Sequence, residues 1–327
     1  MSTHPTPSLS RGVLGLHHVT ALAKDPGENL RFYTRVLGLR LVKKTVNFDD
    51  PGSYHFYFGD RLGRPGTLMT FFPHPHAAHG REGAPEVATT LFAVPPGALG
   101  WWRDRLSAES IDLRPETAFG QERLAFRDPD GTRLALVEAE DARGAAPHEG
   151  SEIPADRAIT GIDSVVLALR GREPTERLLV DALGYRLAET DGARHRYVLG
   201  TGSGPGERLE VLVDPSLPER RLGAGSVHHV AFRVADDAAQ ERIAATVGPI
   251  AGGVTEQRDR NYFRSIYFRE PGGVIFEIAT DIPGFMTDEA EEELGTHLRL
   301  PPQFEHARER IEAALPPLPG GPSLEAA

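Results

Sequence analysis

One pattern of apolar and polar positions occurs four times along the chain. In its first copy, a short apolar strand, GLHHVTAL at 15–22, precedes a stretch with apolar residues at helical spacing, ENLRFYTRVLGLRLV at 28–42. Two strand-like runs, SYHFYFGD and GTLMTFF, follow it and are separated by turn residues. The pattern therefore predicts a module of roughly sixty residues, made of one strand, one helix and three further strands.

The other three copies begin at EVATTLFAVP, ITGIDSVVLALR and VHHVAFRV. A polar segment rich in glycine, alanine and proline separates the second copy from the third, as is typical of a linker. We therefore predict an N-terminal domain at 12–138 with modules 1 and 2, a linker at 139–158, a C-terminal domain at 159–282 with modules 3 and 4, and a tail at 283–327. The first dozen residues read as a loose polar leader, and we expect the end of the tail to be frayed.

Composition limits the classes of function. With 39% hydrophobic and 25% charged residues, the chain resembles an ordinary globular protein, and it has no apolar run long enough for a membrane span. A net charge of −11 argues against nucleic acid or an anionic membrane as the main partner. The absence of cysteine excludes disulfides, thiol nucleophiles and cysteine-bound zinc. We expect a cytoplasmic protein that acts on a small molecule.

A pair of adjacent histidines opens modules 1 and 4. In VHHVAFRV, His228, Val230 and Phe232 share one face of the strand, and this face suits packing under a helix. The opposite face holds His229 and is more polar, so it should line a cavity. The same alternation selects His18 in the first module, and the second histidine of each pair is therefore the candidate metal ligand.

Glu277 is the third candidate ligand. In GGVIFEIAT it lies opposite an apolar face, on the last strand of the module that contains His229. A lone histidine on a strand is more often a hydrogen-bonded core residue, and a lone glutamate can be a solvated strand end. The repeated motif favours a metal site instead, because two histidines and one carboxylate form a facial triad that suits Fe(II), with Mn(II) as an alternative.

Modules 2 and 3 serve as internal controls. They carry Thr89-Thr90 and Asp163-Ser164 where the histidine pairs would fall, and the position of Glu277 is taken by Ala135 in module 2. These modules therefore look like scaffold. Alignment of the PG turns of modules 1 and 4 places Phe71 at the position of Glu277, so that only three protein ligands are expected.

Four such modules, with DPDG and EPGG turns before the last strands of modules 2 and 4, resemble the vicinal oxygen chelate superfamily. This superfamily includes glyoxalases, bleomycin-resistance proteins and extradiol ring-cleaving dioxygenases. The resemblance implies an α+β fold in which βαβββ modules pair into two cup-shaped half-barrels around a metal. Because the candidate ligands come from modules 1 and 4, we expect these two modules to form one cup and modules 2 and 3 the other.

The stretches LHHVT, YHFYFGD, RHRYVL, RNYFRSIYFREPGGVIFE and LRLPPQFE are similar to those of the hydroquinone-type ring-cleaving dioxygenases. This resemblance implies that Arg260 and Tyr267 lie beside the metal, with His17, Thr20 and His228 around the ligands. Strand alternation agrees for Tyr267 but places His17 and His228 on the opposite face. Arg260 would favour an ionised phenol, and Tyr267 would act as a general acid–base.

We therefore expect an Fe(II)-dependent dioxygenase that inserts O2 into a hydroquinone or related phenol and forms a homo-oligomer. A glyoxalase of this superfamily uses four protein ligands, so a set of three favours an oxygenase. The alternatives are a catechol extradiol dioxygenase, a glyoxalase-like metal isomerase, or a non-catalytic protein that binds or sequesters a small aromatic compound. His55 and His195 lie mid-strand in hairpins, and the sequence leaves open whether they face core or cup.

Overall fold

The structure is a computed structural model that describes residues 12–140, 147–148, 150–204 and 206–318. The predicted polar leader up to residue 11 and the end of the tail from residue 319 lie outside this described part. None of the described helices has the length and apolar composition that a membrane span requires.

Each of the four modules contains the predicted strand, helix and three strands. Module 1 consists of β1 (Leu16–Ala23), α1 (Pro26–Arg31), β2 (Arg40–Asn47), β3 (Asp50–Gly59) and β4 (Leu68–Pro73). Module 2 consists of β5 (Glu86–Val94), α2 (Leu99–Ala108), β6 (Arg114–Ala118), β7 (Gln121–Arg127) and β8 (Arg133–Glu138). Module 3 consists of β9 (Gly161–Leu169), α3 (Glu173–Asp181), β10 (Arg186–Asp191), β11 (Arg194–Val198) and β12 (Arg208–Val213). Module 4 consists of β13 (Val227–Val234), α4 (Asp237–Ala251), β14 (Arg258–Asp259), β15 (Arg264–Arg269) and β16 (Ile275–Thr280).

The strands form two curled eight-stranded half-barrels. One has the order β14-β15-β16-β13-β1-β4-β3-β2, and the other has the order β10-β11-β12-β9-β5-β8-β7-β6. Modules 1 and 4 thus share one sheet and modules 2 and 3 the other, which confirms the predicted pairing. Each sheet combines modules from both sides of residues 139–158, so the division into domains at these residues stays a prediction.

Modules 1 and 4 are joined by β1 and β13, which run antiparallel with Val19 opposite Val230. His18 lies opposite Ala231, and Thr20 lies opposite His229. The motifs HHVT and HHVA therefore face each other around a local two-fold axis. This arrangement brings the second histidine of each pair to the same side of the sheet.

Strand alternation and the chemistry of the helix ends account for most of the architecture. Val19, Val230 and Phe276 are fully buried between the first half-barrel and its helices. The carboxylate of Asp236 caps α4 by accepting a hydrogen bond from the Ala239 amide. The opposite faces of these strands point into the cup, where polar residues are concentrated.

The described part of the tail packs on the first half-barrel. Short helical turns lie at Phe285–Thr287, Glu291–Glu293 and Pro302–Ala307, and α5 spans Arg308–Ala314. Phe285 and Leu294 are buried in an apolar cluster with Tyr57 and Tyr262. Lys43, which is itself fully buried, forms ion pairs with Asp288 and Glu289 of the tail. The tail up to residue 318 is therefore part of the wall of the first cup.

Candidate metal centre

Three buried side chains converge in the cup of the first half-barrel. His18 from β1 and His229 from β13 approach each other with 3.3 Å between their Nε2 atoms. Oε2 of Glu277, on β16, lies 3.3 Å from Nε2 of His18 and 2.9 Å from Nε2 of His229. The structure thus brings the three predicted ligands together. Within the described ranges, no other group of three or more His, Asp or Glu side chains has a geometry that could hold a metal ion.

The three donor atoms fit one face of an octahedral metal site. Atoms bound at right angles to one ion at about 2.1 Å would lie about 3.0 Å apart. Glu277 Oε2 is buried without an aligned hydrogen-bond donor among the described residues, whereas Oε1 accepts a 2.5 Å hydrogen bond from Ser265. Burial alone would raise the pKa of Glu277, but His18 and His229 outweigh it and hold that pKa well below its usual range. An ionised carboxylate and two imidazoles suit a divalent cation.

The first histidine of each pair contacts the ring of the second. Nδ1 of His17 lies 2.9 Å from Nδ1 of His18, and Nδ1 of His228 lies 2.8 Å from Nδ1 of His229. Strict alternation, which placed His17 and His228 on the opposite face, is therefore wrong here. The β1–β13 register shifts between Leu16 and His18 and again opposite His228, and such a bulge turns two successive side chains toward one side.

These contacts indicate which ring nitrogen of each candidate ligand carries the proton. Burial, and then the neighbouring histidine, lowers the pKa of His17 well below its usual range and lowers that of His228 to about 3. Both rings are therefore neutral and can accept a hydrogen bond. If His18 and His229 each donate through Nδ1–H, their Nε2 atoms keep the lone pairs that a metal requires.

Thr70 takes the place at which a fourth protein ligand would stand. It lies opposite Thr20 on the neighbouring strand, just as Glu277 lies opposite Ala231 in module 4. The predicted equivalence of Phe71 with Glu277 is therefore wrong by one residue. The cause is one extra residue between the turn proline and the strand in module 4, where Gly273 adopts a φ of 107°.

Arg260 and Tyr267 line the same cavity as His18 and His229. This cavity lies next to His18 and His229. It is lined by the following residues: His18, Thr20, Asn47, Phe48, Asp49, His55, Tyr57, Phe72, His229, Arg260, Phe263 and Tyr267. Arg260 donates through Nε to the Tyr267 hydroxyl at 3.3 Å and through Nη2 to Asp49 at 3.2 Å. Burial raises the pKa of Tyr267 above its usual range, and Glu277 raises it further, so this phenol is protonated.

The structure distinguishes the two undecided histidines. His55 faces the cavity, whereas His195 lies on β11 of the other half-barrel and does not line it. Sequence reasoning did not identify Thr70, Asp49 and Tyr57 as part of the site. A signal for Tyr57 was present, because it pairs with Thr70 as Tyr267 pairs with Glu277.

The second half-barrel carries a carboxylate at the matching position. Glu210 lies opposite Val166, which corresponds to Ala231, and the sequence analysis overlooked it. In the second half-barrel, Thr89 lies at the position of His18 and Ser164 lies at the position of His229. The pair Thr89-Thr90 would have placed Thr90, not Thr89, at the position of His18. Nη1 and Nη2 of Arg123 donate to Glu210, at 2.9 and 2.6 Å. An arginine thus neutralises this buried carboxylate.

Comparison with known proteins identifies the family. The model of the glyoxalase/bleomycin resistance protein/dioxygenase superfamily matches residues 15–136 and 95–278. The chain belongs to this superfamily.

Individual relatives extend over nearly the whole chain. The chain is 46% identical to MhqE of Bacillus subtilis, named as a ring-cleaving dioxygenase, over 93% of this chain and 99% of that protein. It is 34% identical to a chlorohydroquinone/hydroquinone 1,2-dioxygenase of Sphingobium indicum, with coverage of 93% and 96%. A crystal structure described as a dioxygenase from Bacillus subtilis superposes with a TM-score of 0.90 at 41% identity and covers 94% of this chain and 98% of that one.

Proposed function

We propose that this superfamily member is a ring-cleaving dioxygenase that uses Fe(II), held by His18, His229 and Glu277, to insert O2 into a hydroquinone or a related phenol. The observation that carries the proposal is a set of three donor atoms to which the described residues add no fourth protein ligand. Thr70 stands where module 1 could have supplied a second carboxylate. Three protein ligands leave positions for an organic substrate and for dioxygen.

When bound, Fe(II) would bring substrate and dioxygen together and transfer electrons between them. Arg260 supplies a positive charge at the mouth of the cavity, with only 13% of its side chain exposed. A cation near a phenol favours the phenolate, because the opposite charge lowers the phenol's pKa. Arg260 would therefore help the substrate to bind through an ionised oxygen.

Tyr267 would move a proton. Its oxygen accepts a hydrogen bond from Arg260, so its own O–H can donate to an oxygen atom in the cavity. The raised pKa keeps the proton on the phenol until a more basic oxygen is formed. Tyr267 would thus act as a general acid during cleavage and as a base when the proton returns.

The walls of the cavity offer apolar contacts to an aromatic ring. Phe48, Phe72 and Phe263 supply apolar surface beside the polar groups. The 34% identical relative named as a hydroquinone dioxygenase supports a single-ring substrate with para hydroxyls.

The experiment is anaerobic reconstitution with Fe(II), followed by oxygen uptake with a panel of hydroquinones and catechols. We expect uptake of one O2 per hydroquinone in the Fe(II) form and none in the metal-free form. Preference for catechols would indicate the extradiol reaction, and equal rates with Mn(II) would make Mn(II) an equivalent cofactor. Tight aromatic binding without metal and without oxygen uptake would identify a binding protein and contradict the proposal.

A further inference from the structure

His55 lines the cavity but is neither a candidate metal ligand nor part of the proposed proton transfer. It lies on β3 and faces the cup, with its imidazole centroid 4.0 Å from that of Tyr57 and 4.3 Å from that of Phe72. The residue is 7% exposed, and it lines the same cavity as Arg260 and Tyr267. Packing between two rings therefore holds the imidazole in one orientation.

A chain of hydrogen bonds fixes one of the two imidazole nitrogens. Nε2 of His55 lies 3.2 Å from Oγ1 of Thr70, which lies 2.8 Å from Oγ1 of Thr20. The described residues offer no hydrogen-bond partner for the other nitrogen, Nδ1. Because burial lowers the pKa of His55 well below its usual range, the ring is neutral and Nδ1 can form one more hydrogen bond.

A comparison of modules 1 and 4 explains why Nδ1 of His55 is available. In module 4 the position of His55 is held by Ser265, which donates to Glu277. In module 1 the glutamate is replaced by Thr70, so the residue at this position does not support a metal ligand. The change from serine to histidine also extends the side chain into the cavity.

We propose that His55 binds the hydroxyl group of the substrate that points away from the metal, and so selects para-dihydroxybenzenes over phenols that lack a second hydroxyl. The proposal rests on the proposed function. A hydroquinone carries its two oxygens at opposite ends of the ring, and only one of them can reach the face formed by His18, His229 and Glu277. The other oxygen enters the cavity beside apolar side chains such as Phe72, where a hydroxyl without a partner is costly.

The test compares His55→Phe with wild type in the Fe(II)-loaded protein without oxygen, so that binding is measured without turnover. Phenylalanine keeps the ring between Tyr57 and Phe72 and removes both nitrogens. Titration calorimetry gives the Kd of hydroquinone and of 4-methylphenol, which has a methyl group in place of the second hydroxyl. We expect wild type to prefer hydroquinone by at least about tenfold, and His55→Phe to lose this preference through weaker hydroquinone binding alone.

Two further variants control the experiment. His195→Phe removes a strand histidine of the other half-barrel and should leave both Kd values unchanged. If His55→Phe does not fold, His55→Leu tests the same expectation. A preference that survives in the His55 variant, or is lost in Tyr57→Phe instead, would overturn the assignment.

Failure of the proposed function gives a different result. Wild type that neither binds hydroquinone nor consumes oxygen with it would overturn both proposals. Wild type that cleaves hydroquinone but binds 4-methylphenol equally well would overturn the role of His55 alone.

Discussion

Thr70 on β4 and Glu277 on β16 occupy equivalent positions on either side of the local two-fold axis that joins modules 1 and 4. Thr70 lies opposite Thr20, two residues after His18. Glu277 lies opposite Ala231, two residues after His229. The carboxylate completes a group of three donors, whereas the threonine hydroxyl binds Thr20 and His55 instead. The difference between these two residues leaves one side of the site open.

The variant Thr70→Glu should close that side. A second carboxylate would give the metal a fourth protein ligand, so we expect tighter Fe(II) binding and a fall in oxygen uptake of at least about 10²-fold. Anaerobic Fe(II) titration and an oxygen electrode measure the two effects. The control Thr70→Gln introduces a side chain of the same size as glutamate but without its charge, and it should not tighten Fe(II) binding. Undiminished oxygen uptake in Thr70→Glu would show that this position is not next to the metal.

His17→Phe removes the acceptor beside His18 while it keeps a ring against Phe263. We expect the Kd of Fe(II) to rise about 10- to 100-fold, because a ligand histidine loses the partner that fixes its proton and its orientation. Equilibrium dialysis under anaerobic conditions measures this. The exposed loop residue His76 offers a control, since His76→Phe should leave the Kd unchanged. Equal affinity in both variants would exclude this role for His17.

Much of the architecture could be predicted because it follows from periodicity. The four copies of the module and the core face of Val230 and Phe232 depend on strand alternation and on the repeat. The pairing of modules 1 and 4 was expected because both supply candidate ligands. The convergence of His18, His229 and Glu277 follows from the same alternation. Local patterns of this kind remain visible in a single sequence.

The features that could not be predicted depend on single-residue shifts. A bulge at His17 turns its ring toward His18, and the sequence carries no mark of this shift. One extra turn residue moved the true counterpart of Glu277 from Phe71 to Thr70. Glu210 was overlooked although a PG dipeptide at 205–206 precedes its strand at the same spacing as Pro65 precedes Thr70.

Asp128 links module 2 to module 1 and should make stability depend on pH. It accepts hydrogen bonds from the Tyr33 hydroxyl and the Thr132 amide, and burial raises its pKa to about 6 from an ordinary value of 3.8. The folded protein therefore keeps this proton to a higher pH than the unfolded chain does. The contribution of Asp128 to the free energy of unfolding should fall by about 3 kcal/mol as the pH rises from about 4 to about 6.

The measurement is denaturant unfolding of wild type and Asp128→Asn across that range. Because asparagine does not titrate, the variant should show a flatter dependence of the free energy of unfolding on pH. Asp181→Asn, at an exposed site on α3, serves as the control and should retain the wild-type slope. Identical slopes in wild type and Asp128→Asn would contradict a raised pKa for Asp128.

Lys43→Met should loosen the tail. Nζ of Lys43 donates to Asp288 at 2.6 Å and also pairs with Glu289, which is fully buried. Removal of the cation leaves a buried carboxylate without its main partner, so we expect a loss of about 3 kcal/mol in the free energy of unfolding and faster proteolysis after residue 283. Lys24→Met, at an exposed position, should change neither quantity. A tail equally resistant in both variants would show that this ion pair does not hold it.

The most direct test of the central claim is the number of Fe(II) ions bound per chain under anaerobic conditions, in wild type and in Glu277→Gln. Glutamine keeps the shape of the side chain and one oxygen donor but removes the negative charge that offsets Fe(II). The account predicts one tightly bound Fe(II) per wild-type chain. In the variant, which should still fold, it predicts little bound iron and a loss of at least about 10²-fold in oxygen uptake that excess Fe(II) only slightly restores. Equal iron binding and near-full activity in Glu277→Gln would show that Glu277 is not a ligand and would contradict the three-residue metal site.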